Sequence, residues 1–121
     1  MRKKQILVAE DHAITRENIA LVLQDEGYDV LVATDGEEAV MLFTNFKPDL
    51  VLTDLSMPKL NGIGVLTHVK QVLPHLPVSM ITATAILNDE QEARSLGVDD
   101  FLTKPLDFDD LLERITRLLN S

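Results

Sequence analysis

The chain has 121 residues, 45% of them hydrophobic, with a net charge of −9 and no cysteine. This acidity argues against electrostatic attraction to nucleic acid or anionic membranes, and the lack of cysteine excludes disulfides, thiolate chemistry and cysteine-bound zinc. No apolar run reaches the about 20 residues that cross a bilayer, so we expect one cytoplasmic domain over residues 1–121 that acts on neither nucleic acid nor membrane.

Short apolar runs alternate with segments of helical periodicity along the chain. The apolar, β-branched runs predict five strands, at Gln5–Ala9, Asp29–Ala33, Leu50–Thr53, Pro77–Thr82 and Phe101–Thr103. Helical spacing and end signals predict five helices, over Ala13–Glu26, from the Thr34–Gly36 cap to Pro48, over about Ile63–Leu73 and Asn88–Leu96, and after the cap Asp107.

This strict alternation predicts an α/β fold of the (βα)5 type. Strands that are apolar on consecutive residues indicate a parallel sheet with helices on both faces. Right-handed crossovers then give a doubly wound sheet, for which we expect the flavodoxin-like strand order 2-1-3-4-5.

Ligands of open α/β sheets bind at the carboxyl ends of the strands. At these ends the sequence places Thr34 and Asp35 on an edge strand, and Glu10, Asp11, Asp54, Thr82 and Lys104 on four adjacent strands. Clustered carboxylates repel one another, and Mg²⁺ relieves this repulsion because it binds carboxylates, water and phosphoryl oxygens. A lysine suits a phosphoryl oxygen, and an aspartate can itself form an aspartyl phosphate.

Four segments together resemble the receiver domain of two-component response regulators, and the resemblance covers essentially the whole chain. They are VAEDH with Glu10 and Asp11, LTDLSMPKLNG with Asp54, MITATA with Thr82, and GVDDFLTKPL with Phe101 and Lys104. Each segment alone is weakly specific, but four in order at the ends of the expected strands are highly specific.

The resemblance implies that Asp54 accepts a phosphoryl group from a histidine kinase or a histidine phosphotransfer protein. Asp11, Asp54 and the backbone carbonyl of Ser56 would hold Mg²⁺, with Glu10 acting through water. The acid pair here is Glu-Asp rather than the more usual Asp-Asp. The glutamate side chain is longer than that of aspartate, which suits Glu10 to a contact through water. Lys104 would hold the phosphoryl group and precede a cis bond to the next proline.

The resemblance also implies a switch. Thr82 would swing towards the phosphoryl group and Phe101 would move inwards, changing the surface of the fourth helix, fifth strand and fifth helix for an output domain, a target protein or a homodimer. Many receivers have tyrosine at the position of Phe101, so this chain would signal by shape alone. Ser56 and Thr84 would flank the path of the hydrolytic water, which predicts moderate self-dephosphorylation. The resemblance implies a signalling module and not a turnover enzyme.

A stripe on the first helix is a candidate docking surface. Ile14, Asn18 and Leu21 follow i, i+4, i+7 spacing, and an exposed Ile14 beside the site would suit a kinase-side helix. Ordinary variation on an amphipathic helix explains the same stripe equally well. The three histidines, His12, His68 and His75, share no ligand spacing and are expected at the surface.

Three other functions compete with the phosphorylated switch. One is a protein-binding adaptor of the same fold that is never phosphorylated. A Mg²⁺-dependent phosphatase of the haloacid dehalogenase type would need an acid at Ser56, and a flavin-binding protein would need a Ser/Thr/Gly-rich loop in place of EDHAIT. The sequence leaves open the cognate kinase, the output and whether the chain stands alone or belongs to a longer protein.

Overall fold

The computed structural model describes residues 2–83 and 87–120. The strands are β1 (Gln5–Ala9), β2 (Asp29–Ala33), β3 (Leu50–Asp54), β4 (Val78–Thr82) and β5 (Asp100–Thr103). The helices are α1 (Ala13–Asp25), α2 (Gly36–Phe46), α3 (Gly62–Val72), α4 (Leu87–Ser95) and α5 (Phe108–Leu119). Among the described helices, none is long and apolar enough to cross a membrane.

The five strands form one parallel sheet in the order β2-β1-β3-β4-β5, which confirms the predicted fold. The register pairs Ala9 with Thr53 and Asp54 with Ile81. The ends of β1, β3 and β4 therefore lie at nearly the same level. All strands run in one direction, so the residues that follow them collect at one edge of the sheet.

The central strands β1, β3 and β4 are buried on both faces of the sheet, which explains why they are apolar on consecutive residues. Along β1, Leu7 and Ala9 pack towards α2, α3 and α4, whereas Ile6 and Val8 pack towards α1 and α5. All four are fully buried. Burying a Leu or Ile side chain contributes about 2 kcal/mol to the stability of the folded state relative to exposing it. These two apolar layers therefore stabilise the sheet that positions the residues at its carboxyl edge.

The start of α3 is fixed against the end of β3. Asn61 is the N-cap of α3, and its side chain accepts a hydrogen bond from the N–H of Gly64 at 3.0 Å. The N–H of Gly62 bonds the carbonyl of Leu55 at 2.8 Å. A β-carbon at Gly62 would collide with the main-chain oxygen of Asp54, so glycine allows this close approach beside the site.

Candidate functional site

The ends of β1, β3, β4 and β5 meet in one acidic patch. Sheet-type hydrogen bonds continue past the strands, because the N–H of Leu55 bonds the carbonyl of Ile81 and the N–H of Lys104 bonds that of Thr82, each at 2.8 Å. Asp54 and Thr82 are the last residues of β3 and β4. The backbone therefore holds Asp54, Thr82 and Lys104 side by side.

Lys104 joins two of the acids. Its Nζ lies 2.7 Å from Oε1 of Glu10 and 3.2 Å from Oδ2 of Asp54. The Glu10 side chain is fully buried and that of Asp54 is 8% exposed, whereas that of Lys104 is 22% exposed. The ammonium group thus neutralises acids that water hardly reaches, and it remains open to a group arriving from solvent.

The two ionisable partners of this pair shift each other's protonation. Burial raises the pKa of the Glu10 carboxyl, the hydrogen bond from Lys104 lowers it, and the neighbouring Asp54 raises it further, so that the net shift is upwards. Burial alone would lower the pKa of Lys104, but its bond to Glu10 and the charge of Asp54 raise it overall. Lys104 is therefore a fixed positive charge at neutral pH.

Three carboxylates form a group with the chemistry of a cation site. Glu10, Asp11 and Asp54 each offer an oxygen, and these oxygens lie within 4.8 Å of one another. Asp11 is exposed, so its carboxylate is accessible to a ligand from solvent, whereas Oε1 and Oε2 of Glu10 already accept hydrogen bonds from Lys104 and from the N–H of His12. This oxygen set fits Mg²⁺, with Glu10 better suited to contact through water than to direct ligation.

A cleft of about 580 Å³ opens beside Asp54. It lies between the β3–α3 loop, the end of β4 and the first turns of α4. Its lining residues include Asp54, Ser56, Met57, Asn61, Thr82, Asp89 and Glu92. Ser56 is exposed there, while the acids Asp89 and Glu92 were not foreseen as neighbours of the site.

The two residues predicted to switch both lie in the buried part of the structure. Thr82 is 5% exposed at the cleft, and Phe101 is 9% exposed and paired with Met80 in the sheet register. Phe101 already points inwards, so no movement from solvent is needed to bury it. The Lys104–Pro105 bond is cis, as the resemblance implies.

The candidate docking residues lie on the exposed side of α1. Ile14 is 66% and Leu21 63% exposed, and Asn18 is also exposed. His12 lies at the rim of the acidic patch, where its Nδ1 is 3.1 Å from Oγ1 of Thr15. Thr84, the second predicted lifetime residue, lies outside the described residues.

The edge strand does not contribute to the acidic group. Thr34 donates its N–H to Oε1 of Glu38 at 2.6 Å, and Asp35 caps α2. Asp35 also lies 3.6 Å from Nζ of Lys59 in the β3–α3 loop. Both residues are thus used to begin α2.

Two residues have roles that the sequence pattern did not reveal. Asp100 is the first residue of β5 and accepts a 2.8 Å bond from Arg114 of α5. Arg16 of α1 donates to the main-chain carbonyl of Glu10 at 3.0 Å. A basic residue one turn into the helix that follows the acid pair is the only sequence signal for this contact.

Comparison with known proteins agrees with this geometry. Residues 6–116 match the family model of the response regulator receiver domain. The chain is 40% identical over 119 residues to the "Probable transcriptional regulator ycf27" of Porphyridium aerugineum, covering 98% of this chain and 49% of that protein. The chain thus spans about half the length of the curated relatives it matches.

Solved structures give the same result. A CheY-like receiver domain protein from Methanospirillum hungatei superposes with a TM-score of 0.95 at 28% identity, covering 98% of this chain and 95% of that one. The CheX-CheY-BeF3-Mg+2 complex from Borrelia burgdorferi gives 0.89 at 29% identity, covering 95% and 88%. With the sheet order, the acidic group and Lys104 in place, the chain belongs to the response regulator receiver domain family.

Proposed function

We propose that residues 1–121 form a single phosphoacceptor domain in which Asp54 receives a phosphoryl group from a phosphohistidine of a sensor kinase or a phosphotransfer protein. The observation that carries this proposal is the position of Lys104, whose Nζ contacts both Glu10 and Asp54 at the carboxyl edge of the sheet. A cation held there can neutralise a phosphoryl oxygen as readily as a carboxylate.

The transfer itself needs positioning more than covalent catalysis. An Oδ atom of Asp54 attacks the phosphorus, an O–P bond forms, the P–N bond breaks, and its electron pair stays on the imidazole nitrogen of the donor. Lys104 offsets the charge of the arriving phosphoryl oxygens. The patch thereby accelerates its own phosphorylation without releasing a product from a turnover cycle.

The oxygen-rich group beside Asp54 suits Mg²⁺. Asp11, Asp54 and the backbone carbonyl of Ser56 would hold the ion, and Glu10 would act through water. When bound, Mg²⁺ supplies positive charge that reduces the repulsion between the acids and the phosphoryl group. The Borrelia burgdorferi relative is described as a complex with BeF3 and Mg, which supports the same cofactor here.

Loss of the phosphoryl group would follow attack by water on the phosphorus of phospho-Asp54. Ser56 and Thr84 are proposed to flank the path of that water. Ser56 is small, polar and exposed at the cleft, so water has access to the phosphoryl group. This favours a lifetime of moderate length.

The signal would reach the surface formed by α4, β5 and α5. Thr82 lines the cleft and Phe101 is buried in the next strand, so a phosphoryl contact at Thr82 can change the packing of Phe101. The same surface carries Arg114, bonded to Asp100 and Asp110 at 2.8 and 2.9 Å. We propose that an output domain, a target protein or a second copy of the chain reads this surface.

An adaptor that binds partners without being phosphorylated is the alternative function of the same fold. Mass spectrometry distinguishes the two after incubation with Mg²⁺ and acetyl phosphate. The proposal expects the wild-type chain to gain one phosphoryl group that Asp54→Asn cannot gain. Asp49→Asn, which removes an acid at the opposite end of β3, serves as the matched control. No gain in the wild-type chain, or an equal gain in Asp54→Asn, would favour the adaptor.

A further inference from the structure

Arg16 contacts the stretch of main chain that carries the two acids following β1. Its Nη1 lies 3.0 Å from the carbonyl oxygen of Glu10 and 3.4 Å from that of Asp11. Arg16 is half-buried in the first turns of α1. Its guanidinium group therefore bridges two consecutive peptide groups between the strand and the helix.

Besides the 3.1 Å bond from the N–H of His12 to Oε2 of Glu10, three contacts to the main chain hold this short stretch. Before it, the N–H of Glu10 bonds the carbonyl of Ala33 in the neighbouring strand at 3.0 Å. After it, the N–H of Arg16 bonds the carbonyl of His12 at 2.9 Å, which begins α1. The Arg16 side chain supplies the contact to the two carbonyls in the middle.

The direction of the Asp11 side chain depends on this stretch. Consecutive residues of an ideal strand point to opposite sides, yet Glu10 and Asp11 both bring a carboxylate oxygen within 4.8 Å of Asp54. The main chain must bend at this point to allow it. Asp11 is exposed, so the backbone, and not side-chain packing, sets its orientation.

We propose that Arg16 is a positioning residue for the cation site, which it serves by clamping the carbonyls of Glu10 and Asp11. This inference rests on the proposed function, in which Asp11 holds Mg²⁺. The contact of Arg16 with the two carbonyls and its positive charge have opposite effects on Mg²⁺ binding. A nearby positive charge repels a cation, whereas correct orientation of its ligands attracts it. Removing Arg16 therefore separates the two effects by the sign of the change.

The test is calorimetric titration of the metal-free protein with MgCl₂ alone. The clamp predicts that R16Q weakens Mg²⁺ binding by about tenfold, the low end of the losses seen when residues supporting metal ligands are changed. R16K keeps the charge, and an ammonium group can donate to two carbonyls, as Lys70 does to Pro74 and Leu76. The flexible lysine side chain lacks the rigid planar guanidinium, however, and should hold the two carbonyls of the acid pair less firmly. R16K should also bind Mg²⁺ more weakly than the wild-type chain, though less so than R16Q.

A matched control is Arg117→Gln, which removes a guanidinium that pairs with Glu113 on the exposed side of α5. It changes the net charge equally and should leave Mg²⁺ binding as in the wild-type chain. Amide NMR spectra of the metal-free variants give a second readout. The clamp predicts shifts for residues 10–13 in R16Q and R16K and none there in the control.

The outcomes separate the two proposals. If the wild-type chain binds Mg²⁺ and R16Q binds it equally or more tightly, the clamp is wrong and the proposed cation site stands. If R16Q fails to fold, R16K decides, and wild-type affinity in R16K overturns the clamp. If the wild-type chain binds no Mg²⁺, the proposed cofactor is wrong and the role of Arg16 falls with it.

Discussion

The ammonium group of Lys104 lies 2.7 Å from the carboxylate of Glu10, which is fully buried. The two residues are 94 positions apart in the chain, and they meet only because β1 and β5 both end at the carboxyl edge of one sheet. A buried carboxylate is costly unless it is paired and hydrogen-bonded. Lys104 therefore stabilises the folded state and also lies within 3.2 Å of the Asp54 carboxylate.

Removing Lys104 should destabilise the protein as well as block phosphorylation. In Lys104→Met the Glu10 carboxylate loses its cation, and we expect a loss of about 2 kcal/mol at pH 7, less than for a fully buried pair because Lys104 is partly exposed. Urea unfolding measures this loss. The double variant Lys104→Met/Glu10→Gln should recover much of it, and no recovery would show that Glu10 is not the group left unpaired.

The raised pKa of Glu10 predicts the pH dependence of stability in metal-free buffer. The folded protein binds this proton more tightly than the unfolded chain, so the contribution of Glu10 to folding is most favourable below its ordinary pKa of 4.5 and falls as pH rises through the higher folded pKa. Glu10→Gln should remove this decline. The measurement is the free energy of unfolding in urea, for the wild-type chain and Glu10→Gln, between pH 4 and 8. The same pH dependence in both proteins would contradict the assignment of this decline to Glu10.

The exposed side chain of Ser56 predicts how the lifetime of the phosphoryl group can be changed. A large apolar side chain in Ser56→Leu should exclude water from the cleft and slow the decay of phospho-Asp54 by about tenfold. The measurement is loss of the phosphoryl group after the donor is removed. Ser56→Asn should also change the rate, and wild-type decay in both variants would remove Ser56 from the path of the water. Mg²⁺ affinity should stay unchanged, since the backbone carbonyl is retained.

The exposure of Ile14 predicts a separation between protein and small-molecule donors. Ile14→Glu should slow phosphotransfer from a histidine kinase that phosphorylates the wild-type chain, because it places a charge on an apolar contact. Phosphorylation by acetyl phosphate should be unchanged. Val72→Glu, on the exposed side of α3, is the matched control. Equal kinase rates in Ile14→Glu and the wild-type chain would remove α1 as the docking surface.

The sequence predicted the sheet order and placed most element ends to within about one residue, because apolar runs, caps and helix-ending glycines are local signals. Asp54 and Lys104 could be assigned to one edge by topology alone. The 2.7 Å contact of Lys104 with Glu10 could not, since it depends on side-chain conformations set by tertiary packing. For the same reason the sequence did not reveal Arg16 at the acid pair or Arg114 at Asp100.

The buried position of Phe101 agrees with the sequence, because an aromatic residue in a short apolar strand is most often part of the core. The local pattern did not give the extent of this burial, which leaves Phe101 9% exposed against the core shared with α3 and α4 before any phosphorylation. The packing around a single aromatic residue depends on which neighbours leave space for it. That space is a property of the folded core and not of the local pattern.

Binding of beryllofluoride tests the central claim most directly, because this group mimics a phosphoryl group on an aspartate without needing a kinase. Fluorine NMR of the chain with Mg²⁺ and beryllofluoride should show a bound signal that disappears without Mg²⁺ and in Asp54→Ala. Asp49→Ala should retain it. A bound signal that persists in Asp54→Ala, or no bound signal in the wild-type chain, would contradict the assignment of Asp54 as the phosphoacceptor.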